Sequence, residues 1–161
     1  FPYTTLFRSE ADTFFVFVEV EYHHVNALVE LQHFARVTDA APGDVGDVKQ
    51  AVDAAEVRAR LPWSPERCTI GGVMHGGALM ALADGAGAVV AFLNLPEGGT
   101  GTTTVSSSTN FLRGVRDGHV EAISTPLHTG RTTIVVETTL VDATGKQVAK
   151  VTQTQAVLRP T

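Results

Sequence analysis

The stretch from Gly76 to Leu95 constrains the fold more than any other part of this chain, because Asp84 is its only charged residue. Apolar residues fall on every face of a helix built from this stretch, and such a helix is normally buried rather than laid on a surface. They are Ala78, Leu79, Met80, Ala81, Leu82, Ala83, Ala86, Ala88, Val89, Val90, Ala91 and Phe92. The remainder of the chain is therefore expected to cover a helix over residues 76–93.

Strand-like stretches on both sides of this helix can provide that cover. The four that follow it have ten to twelve residues each, whereas strands usually have five or six, and the extra length indicates a curved sheet. In the stretch that precedes the helix, Val57, Ala59 and Leu61 are predicted to share the core-facing side. The stretches are 56–61, 102–112, 119–128, 131–142 and 147–158. The pattern predicts an α+β fold in which one antiparallel sheet of five to six strands encloses one helix.

The composition excludes several classes of protein. A chain of 161 residues with 43% hydrophobic residues fits one domain with a substantial core. Its net charge of −5 argues against nucleic acid as a partner. The apolar run Phe14 to Val18 is too short to cross a membrane, and we expect no membrane partner. A single cysteine, Cys68, cannot form an internal disulfide, which favours a reducing, cytoplasmic setting.

Common catalytic and cofactor motifs are absent from the sequence. It contains no GxSxG nucleophile motif, no phosphate-binding loop and no dinucleotide-binding fingerprint. The six histidines, including the adjacent His23 and His24, lack the spacing of metal ligands and are interpreted as scattered surface residues. We therefore expect neither a metal ion nor a cofactor.

The N-terminal third is interpreted separately from the rest of the chain. Residues 1–9 resemble a translated sequencing adapter and are excluded from the fold reasoning. Residues 10–50 are interpreted either as a genuine extension or as a chimeric assembly, with a possible helix over 25–35 and a loop over 38–46. The domain that carries the function is expected over residues 51–161.

Two glycines, Gly76 and Gly77, open the predicted helix, and Asp84 lies seven residues after the second. At 100° per residue, Asp84 returns to within about 20° of the direction of Gly77. Glycines let a ligand approach the backbone closely, and the first N–H groups of a helix carry partial positive charge that stabilises an oxyanion. The residues alone leave open that the glycines serve close packing and that Asp84 is a structural carboxylate.

Two more glycines, Gly85 and Gly87, follow Asp84 inside the predicted helix. Each destabilises a helix interior by about 1 kcal/mol relative to alanine. Their presence predicts that a strand, or a helix of a partner subunit, approaches the backbone closely at this point.

Three segments together resemble a known family of enzymes. GGVMHGGALMALAD, TNFLRGVRDG and PLHTGRTTIVVETTLVDATGKQVAKVTQTQAVL are similar to hotdog-fold acyl-CoA thioesterases of the phenylacetic-acid-degradation (PaaI-like) type, over about residues 51–161. The resemblance implies a central helix wrapped by an antiparallel sheet. It also implies homodimers formed by extension of the sheet, often assembled into homotetramers, with the active site at the subunit interface.

The resemblance assigns roles to three residues near the helix. Asp84 matches the catalytic carboxylate, which acts either as the nucleophile or as a general base on water. Gly76 matches the backbone donor to the thioester oxygen. Thr104 falls where the family places a Ser or Thr that helps to orient water.

Further residues match substrate-binding positions of the family. Gly130, Arg131 and Thr132 match a segment that lies along pantetheine, and Arg131 is the candidate for a phosphate contact. His75 and Gly77 belong to the helix start, where His75 is expected to shape the loop rather than exchange protons. Thr69 stands where many relatives carry Asn or Gln, so weaker or altered catalysis is expected.

The expected function is hydrolysis of an acyl-CoA thioester to a carboxylic acid and coenzyme A. The alternative is a hotdog protein that binds acyl-CoA or another apolar ligand without turnover, because a fold does not fix a function. Asp84 discriminates between the two, since a pure binding protein has no need of a lone carboxylate in an apolar helix.

Overall fold

The computed structural model describes residues 4–8, 14–18 and 54–160. In chain order its elements are β1 (Thr4–Arg8), β2 (Phe14–Val18), β3 (Val57–Pro62), a short 3-10 helix (Pro65–Arg67), α1 (Gly76–Leu93), β4 (Gly101–Phe111), β5 (His119–Thr129), β6 (Thr133–Asp142) and β7 (Gln147–Leu158).

The helix α1 runs over Gly76–Leu93, as the apolar run predicts. His75 caps its start, and at its end the backbone N–H of Asn94 donates to the carbonyls of Ala91 and Phe92. By length and composition α1 resembles a membrane span. Eleven of its eighteen residues are buried, however, and strands of the protein cover them.

The main sheet contains five strands in the order β3-β5-β6-β7-β4, and all neighbouring pairs are antiparallel. Along β3, β6 and most of β5, buried residues alternate with less buried ones, because successive side chains of a strand point to opposite faces. Val57, Ala59 and Leu61 of β3 are buried as predicted. They join one core with residues of α1 and of the central strands, such as Leu82 and Ile134. The predicted architecture of one helix enclosed by an antiparallel sheet is confirmed.

The strand bounds agree with the prediction to within one residue except at the start of β6. Arg131 and Thr132 belong to the connection between β5 and β6 rather than to the predicted start of β6, because the N–H of Gly130 donates to the carbonyl of Thr133 at 2.8 Å and closes the hairpin. A Cβ on Gly130 would lie 2.9 Å from that same carbonyl oxygen, so a larger residue would disturb this tight turn.

The N-terminal strands form a second sheet, separate in its hydrogen bonding from the main one. β1 and β2 pair with each other in an antiparallel two-stranded sheet, and β1 lies beside β4 and α1. The helix expected over residues 25–35 and the loop expected over 38–46 lie outside the described residues. The division of the chain at about residue 51 stays a prediction.

Candidate functional site

Asp84 accepts two side-chain hydrogen bonds on one carboxylate oxygen. The hydroxyl of Thr104 in β4 donates to Oδ1 at 3.1 Å. The amide Nε2 of Gln153 in β7 donates to the same oxygen at 2.6 Å. Two donors from two different strands on one oxygen hold the side chain of Asp84 in one orientation.

A third side chain extends this arrangement by one step. Nε2 of Gln155 donates to Oγ1 of Thr104 at 2.8 Å, and the Thr104 hydroxyl then donates to Asp84. Gln153 and Gln155 are each 1% exposed, so both amides lie inside the protein between the sheet and the helix. We call Asp84, Thr104, Gln153 and Gln155 the polar cluster.

A β-bulge in β4 lies next to Thr104. Thr104 pairs with Gln155 and Ser106 pairs with Thr154, so Val105 is an extra residue with no partner in β7. Bulges are frequent next to active sites because they re-aim a side chain. Here Thr104 contacts Asp84, whereas Val105 is 59% exposed.

Gly87 leaves the room that Gln153 occupies. A Cβ built on Gly87 would lie 2.0 Å from Oε1 of Gln153, a separation that real side chains essentially never show. Gly87 is three residues after Asp84 and therefore lies on the same side of α1, one turn further along. The close approach of a strand, which the sequence predicts at the helix glycines, is confirmed at Gly87, where a side chain of β7 fills the space.

The start of α1 offers one backbone donor, at Gly76. The N–H of Gly77 donates to Nδ1 of His75 at 2.9 Å, and the N–H of Ala78 donates to the carbonyl of His75 at 3.0 Å. Of the N–H groups that the sequence predicts at the helix start, that of Gly77 is therefore engaged by the capping side chain of His75. Within the described ranges, no group accepts from the N–H of Gly76.

Gly76 also lies against the end of β4. A Cβ on Gly76 would be 3.0 Å from Cζ of Phe111, whose side chain is half exposed. The aromatic ring therefore lies against the glycine at the helix start.

Thr69 lies on an exposed loop between the short 3-10 helix and α1. Its N–H donates to the carbonyl of Val73 at 2.8 Å, and its carbonyl accepts from the N–H of Gly72 at 2.9 Å. Arg116 holds the same loop by donating to the carbonyl of Gly71 at 2.5 Å. These contacts fold the loop on itself, and the side chains that donate to Asp84 come instead from β4 and β7.

The predicted pantetheine-binding segment, residues 130–132, lies at the turn between β5 and β6. The carbonyl of Thr132 accepts from the N–H of Val157 near the end of β7 at 2.8 Å. Arg131 is exposed, and its carbonyl accepts from a guanidinium nitrogen of Arg159 at 3.0 Å. Two cationic residues therefore share this corner of the protein.

Among residues 54–160 and the two N-terminal strands, no group of three or more His, Cys, Asp or Glu side chains is arranged to hold a metal ion.

Gln153 and Gln155 are the members of the polar cluster that the sequence reasoning missed. Both lie in the run Val151 to Val157, where alternate residues share one face of β7 and Val151 is buried. Two amide side chains on the buried face of a strand break its apolar pattern. That break is the signal that could have identified them.

Comparisons with known proteins identify the family and the fold of the chain. The sequence profile of the thioesterase superfamily matches residues 71–149. A Pseudomonas aeruginosa protein named as a putative esterase is 30% identical over 117 residues, which cover 72% of this chain and 81% of the relative. A Mycobacterium tuberculosis protein with the same kind of name is 33% identical over 95 residues, or 58% of this chain and 68% of the relative.

Solved structures show the same fold. The crystal structure of a Haemophilus influenzae thioesterase aligns with a TM-score of 0.64 and 30% identity, over 68% of this chain and 76% of that protein. A hypothetical thioesterase of Streptococcus pneumoniae, crystallised with coenzyme A, aligns with a TM-score of 0.62 and 25% identity, over 71% of this chain and 88% of that protein.

Proposed function

The chain belongs to the thioesterase superfamily, and we propose that it hydrolyses an acyl-CoA thioester to a carboxylic acid and coenzyme A. The observation that carries the proposal is the polar cluster. It places one oriented carboxylate, that of Asp84, in a helix whose other residues carry no charge.

Asp84 supports two routes for this reaction. As a general base it takes a proton from water, the oxygen of that water bonds to the thioester carbon, and the C–S bond breaks to release the thiolate of coenzyme A. As a nucleophile it bonds to the thioester carbon itself and expels the thiolate, and water then hydrolyses the resulting anhydride. In both routes the thiolate takes up a proton after it leaves.

The N–H of Gly76 is the proposed donor to the developing oxyanion. It precedes Asp84 by eight residues, which at 1.5 Å per residue separates the two by roughly 12 Å along the axis of α1. One thioester carbonyl cannot lie within hydrogen-bond reach of both groups in the same chain. We therefore assign the oxyanion donor at each site to Gly76 of the partner subunit in a homodimer.

The outer edge of β4 supports such a homodimer. β4 ends the five-stranded sheet and has eleven residues, and no strand of the described ranges pairs with its outer edge, although β1 lies nearby. Unpaired edges of this length are templates for pairing with another chain. The exposed Val105, Phe111 and Leu112 add apolar surface to this region.

Coenzyme A is the proposed leaving group because of two observations. The Streptococcus pneumoniae neighbour was crystallised with coenzyme A. Arg131, together with the adjacent Arg159, supplies positive charge suited to nucleotide phosphates at an exposed corner of this otherwise acidic chain.

Thiol release tests the reaction. Purified protein is incubated with short, medium, long and aryl acyl-CoA substrates, and free thiol is measured for wild type and for Asp84→Asn. We expect release by the wild type with at least one substrate and a large loss in the variant. Equal rates in both proteins would remove Asp84 from the chemistry, and binding without release would favour the non-catalytic alternative.

A mixing experiment tests the shared site. Gly76→Pro removes the N–H at the first helical position, where proline is well tolerated, and His75 already has the extended backbone that precedes proline, with ψ at 134°. Gly76→Ala adds a Cβ and keeps the N–H, so it is the matched control. Loss of one oxyanion donor is expected to lower kcat by about 100- to 1000-fold.

Heterodimers of Gly76→Pro with Asp84→Asn contain one intact site if the two groups act across the interface. Random exchange of subunits then restores about a quarter of the wild-type activity from two inactive proteins. No recovery after subunit exchange would place both groups in one chain and would contradict the shared site.

A further inference from the structure

We propose that Gln153 is a positioning residue for Asp84, and that Gly87 is the glycine that admits it to the site. The inference rests on the proposed function and adds to it an arrangement of three residues. They are Asp84 on α1, Gly87 one turn later, and Gln153 on β7.

The contact between Gln153 and Asp84 is well suited to fixing an orientation. Nε2 lies 2.6 Å from Oδ1, and Gln153 is 1% exposed, so the donor of this hydrogen bond is shielded from water. A bond from a buried amide to a carboxylate is stronger than one at the surface, because the surrounding dielectric is lower. Gln153 therefore restricts rotation of the carboxylate.

The strand that carries Gln153 is held on both sides. β7 lies between β6 and β4, with Gln153 paired to Val136 on one side and to Ser107 on the other. Sites built on such elements are more precise than sites on loops. Gln155 follows two residues later and donates to the hydroxyl of Thr104. β7 therefore carries one donor to Asp84, Gln153, and also orients the other, Thr104.

Packing alone does not explain a glutamine at position 153. Its Oε1 is buried and has no hydrogen-bond partner among the described residues. A buried carbonyl oxygen without a donor destabilises the folded protein, and an apolar side chain of similar size would avoid that loss. Gln153 therefore stands at this position for what its Nε2 does, which is to donate to Asp84.

Gly87 supports the same conclusion from the helix side. Glycine destabilises a helix interior relative to alanine. At Gly87 an alanine Cβ would lie 2.0 Å from Oε1 and 3.0 Å from the amide carbon of Gln153. Glycine at position 87 therefore makes the helix less stable than alanine would, but it leaves the space that the side chain of Gln153 occupies.

Kinetics of Gln153→Met test the positioning role. Methionine has a similar length and no donor. We expect kcat to fall about 10- to 100-fold, the range typical of residues that orient a reacting group through a hydrogen bond, with KM changed less than about twofold because substrate contacts remain.

Thr138→Val is the matched control for Gln153→Met. The Thr138 hydroxyl lies 2.7 Å from that of Ser124, and both residues are buried between β5 and β6. The control also breaks a buried hydrogen bond in the core, so it reports what loss of stability alone does to kcat. We expect its kcat to stay close to the wild-type value.

A double-mutant cycle between positions 87 and 153 tests the role of Gly87. In the wild-type background, Gly87→Ala is expected to lower the melting temperature, because the new methyl group displaces Gln153. In the background of Gln153→Ala the same change is expected to raise the melting temperature, because the clash is gone and alanine favours the helix. This reversal of sign is specific to the pair.

The outcomes separate the two proposals. Active wild type and inactive Asp84→Asn, combined with a kcat for Gln153→Met equal to that of Thr138→Val, would overturn the positioning role and leave the proposed function standing. A shift of the same sign for Gly87→Ala in both backgrounds would overturn the role of Gly87. A wild type without thiol release overturns the proposed function and the positioning role with it.

Discussion

Two aspartates of this protein, Asp84 and Asp142, accept two and three hydrogen bonds on Oδ1, but their donors come from different distances along the chain. The side chains that donate to Asp84 belong to Thr104 and Gln153, which are 20 and 69 residues away. The donors to Asp142 are Thr144 and Lys146, which are 2 and 4 residues away in the turn between β6 and β7.

This difference separates a structural carboxylate from a candidate catalytic one. Asp142 organises its own turn, and the hydroxyl of Thr144 is the main reason that the pKa of Asp142 lies below its ordinary value. A carboxylate of this kind needs only local sequence. Asp84 instead requires two distant strands and a glycine in its own helix, an arrangement that nothing in the local helix demands.

The largest expected effect is the loss of activity in Asp84→Asn. Removal of the reacting carboxylate is expected to lower kcat about 100- to 10,000-fold. The melting temperature should hold or rise, because the amide is uncharged and its oxygen still accepts from Gln153. Thiol release and thermal unfolding measure the two quantities. If Asp84→Asn lost stability and kept its activity, Asp84 would be a structural carboxylate like Asp142, and the proposed catalytic role would be contradicted.

A smaller effect is expected for Thr104→Val, which keeps the shape of the side chain and removes the hydroxyl. Asp84 loses the bond from Thr104 and keeps the shorter bond from Gln153. We expect kcat to fall about tenfold, measured on the best substrate of the panel. Thr109→Val, on the same strand, is the control, and an equal loss there would indicate a general effect on β4.

Asp142→Ala is expected to change stability alone. The turn loses three hydrogen bonds to the carboxylate, so the melting temperature should fall by a few degrees, while kcat and KM stay at the wild-type values. Thermal unfolding and steady-state kinetics check this pair of outcomes. A decrease in kcat beyond that explained by unfolding would contradict the division between the two aspartates.

The smallest expected effect is the pH dependence that Asp142 gives to stability. Because its pKa is lowered in the folded protein, its contribution is present above the ordinary value of about 3.9. It is lost as pH falls through the lower folded pKa. Wild type and Asp142→Ala should therefore differ in melting temperature at about pH 6 and converge under strongly acidic conditions. A constant difference at all pH values would contradict this account.

Local patterns in the sequence were sufficient for most of the fold. The apolar run predicted α1 with the bounds that the structure has, and the alternation of Val57, Ala59 and Leu61 predicted the buried face of β3. These predictions succeed because helices and strands repeat every 3.6 and 2 residues, and each period is visible in a short window. The exception was the turn at residues 130–132, where a hairpin closure makes β6 begin later than composition suggests.

The candidate site was predictable only in part. Asp84 was conspicuous as a single charge in an apolar helix, and Gly87 as a glycine without a local reason. The side chain that contacts both positions, Gln153, lies 69 residues from Asp84. The capping of Gly77 by His75 was also missed, because the side-chain rotamer of His75 decides which N–H it accepts from.

The sequence by itself determined that a long helix is buried under an antiparallel sheet and that this helix carries one carboxylate. Burial follows from side-chain hydrophobicity, which each residue carries regardless of its neighbours in space. Only the tertiary structure decided which donors hold that carboxylate, and which backbone N–H of the helix start stays available. Those contacts depend on strand order, on register to a single residue, and on the bulge at Val105, because a hydrogen bond tolerates errors of only a few tenths of an ångström.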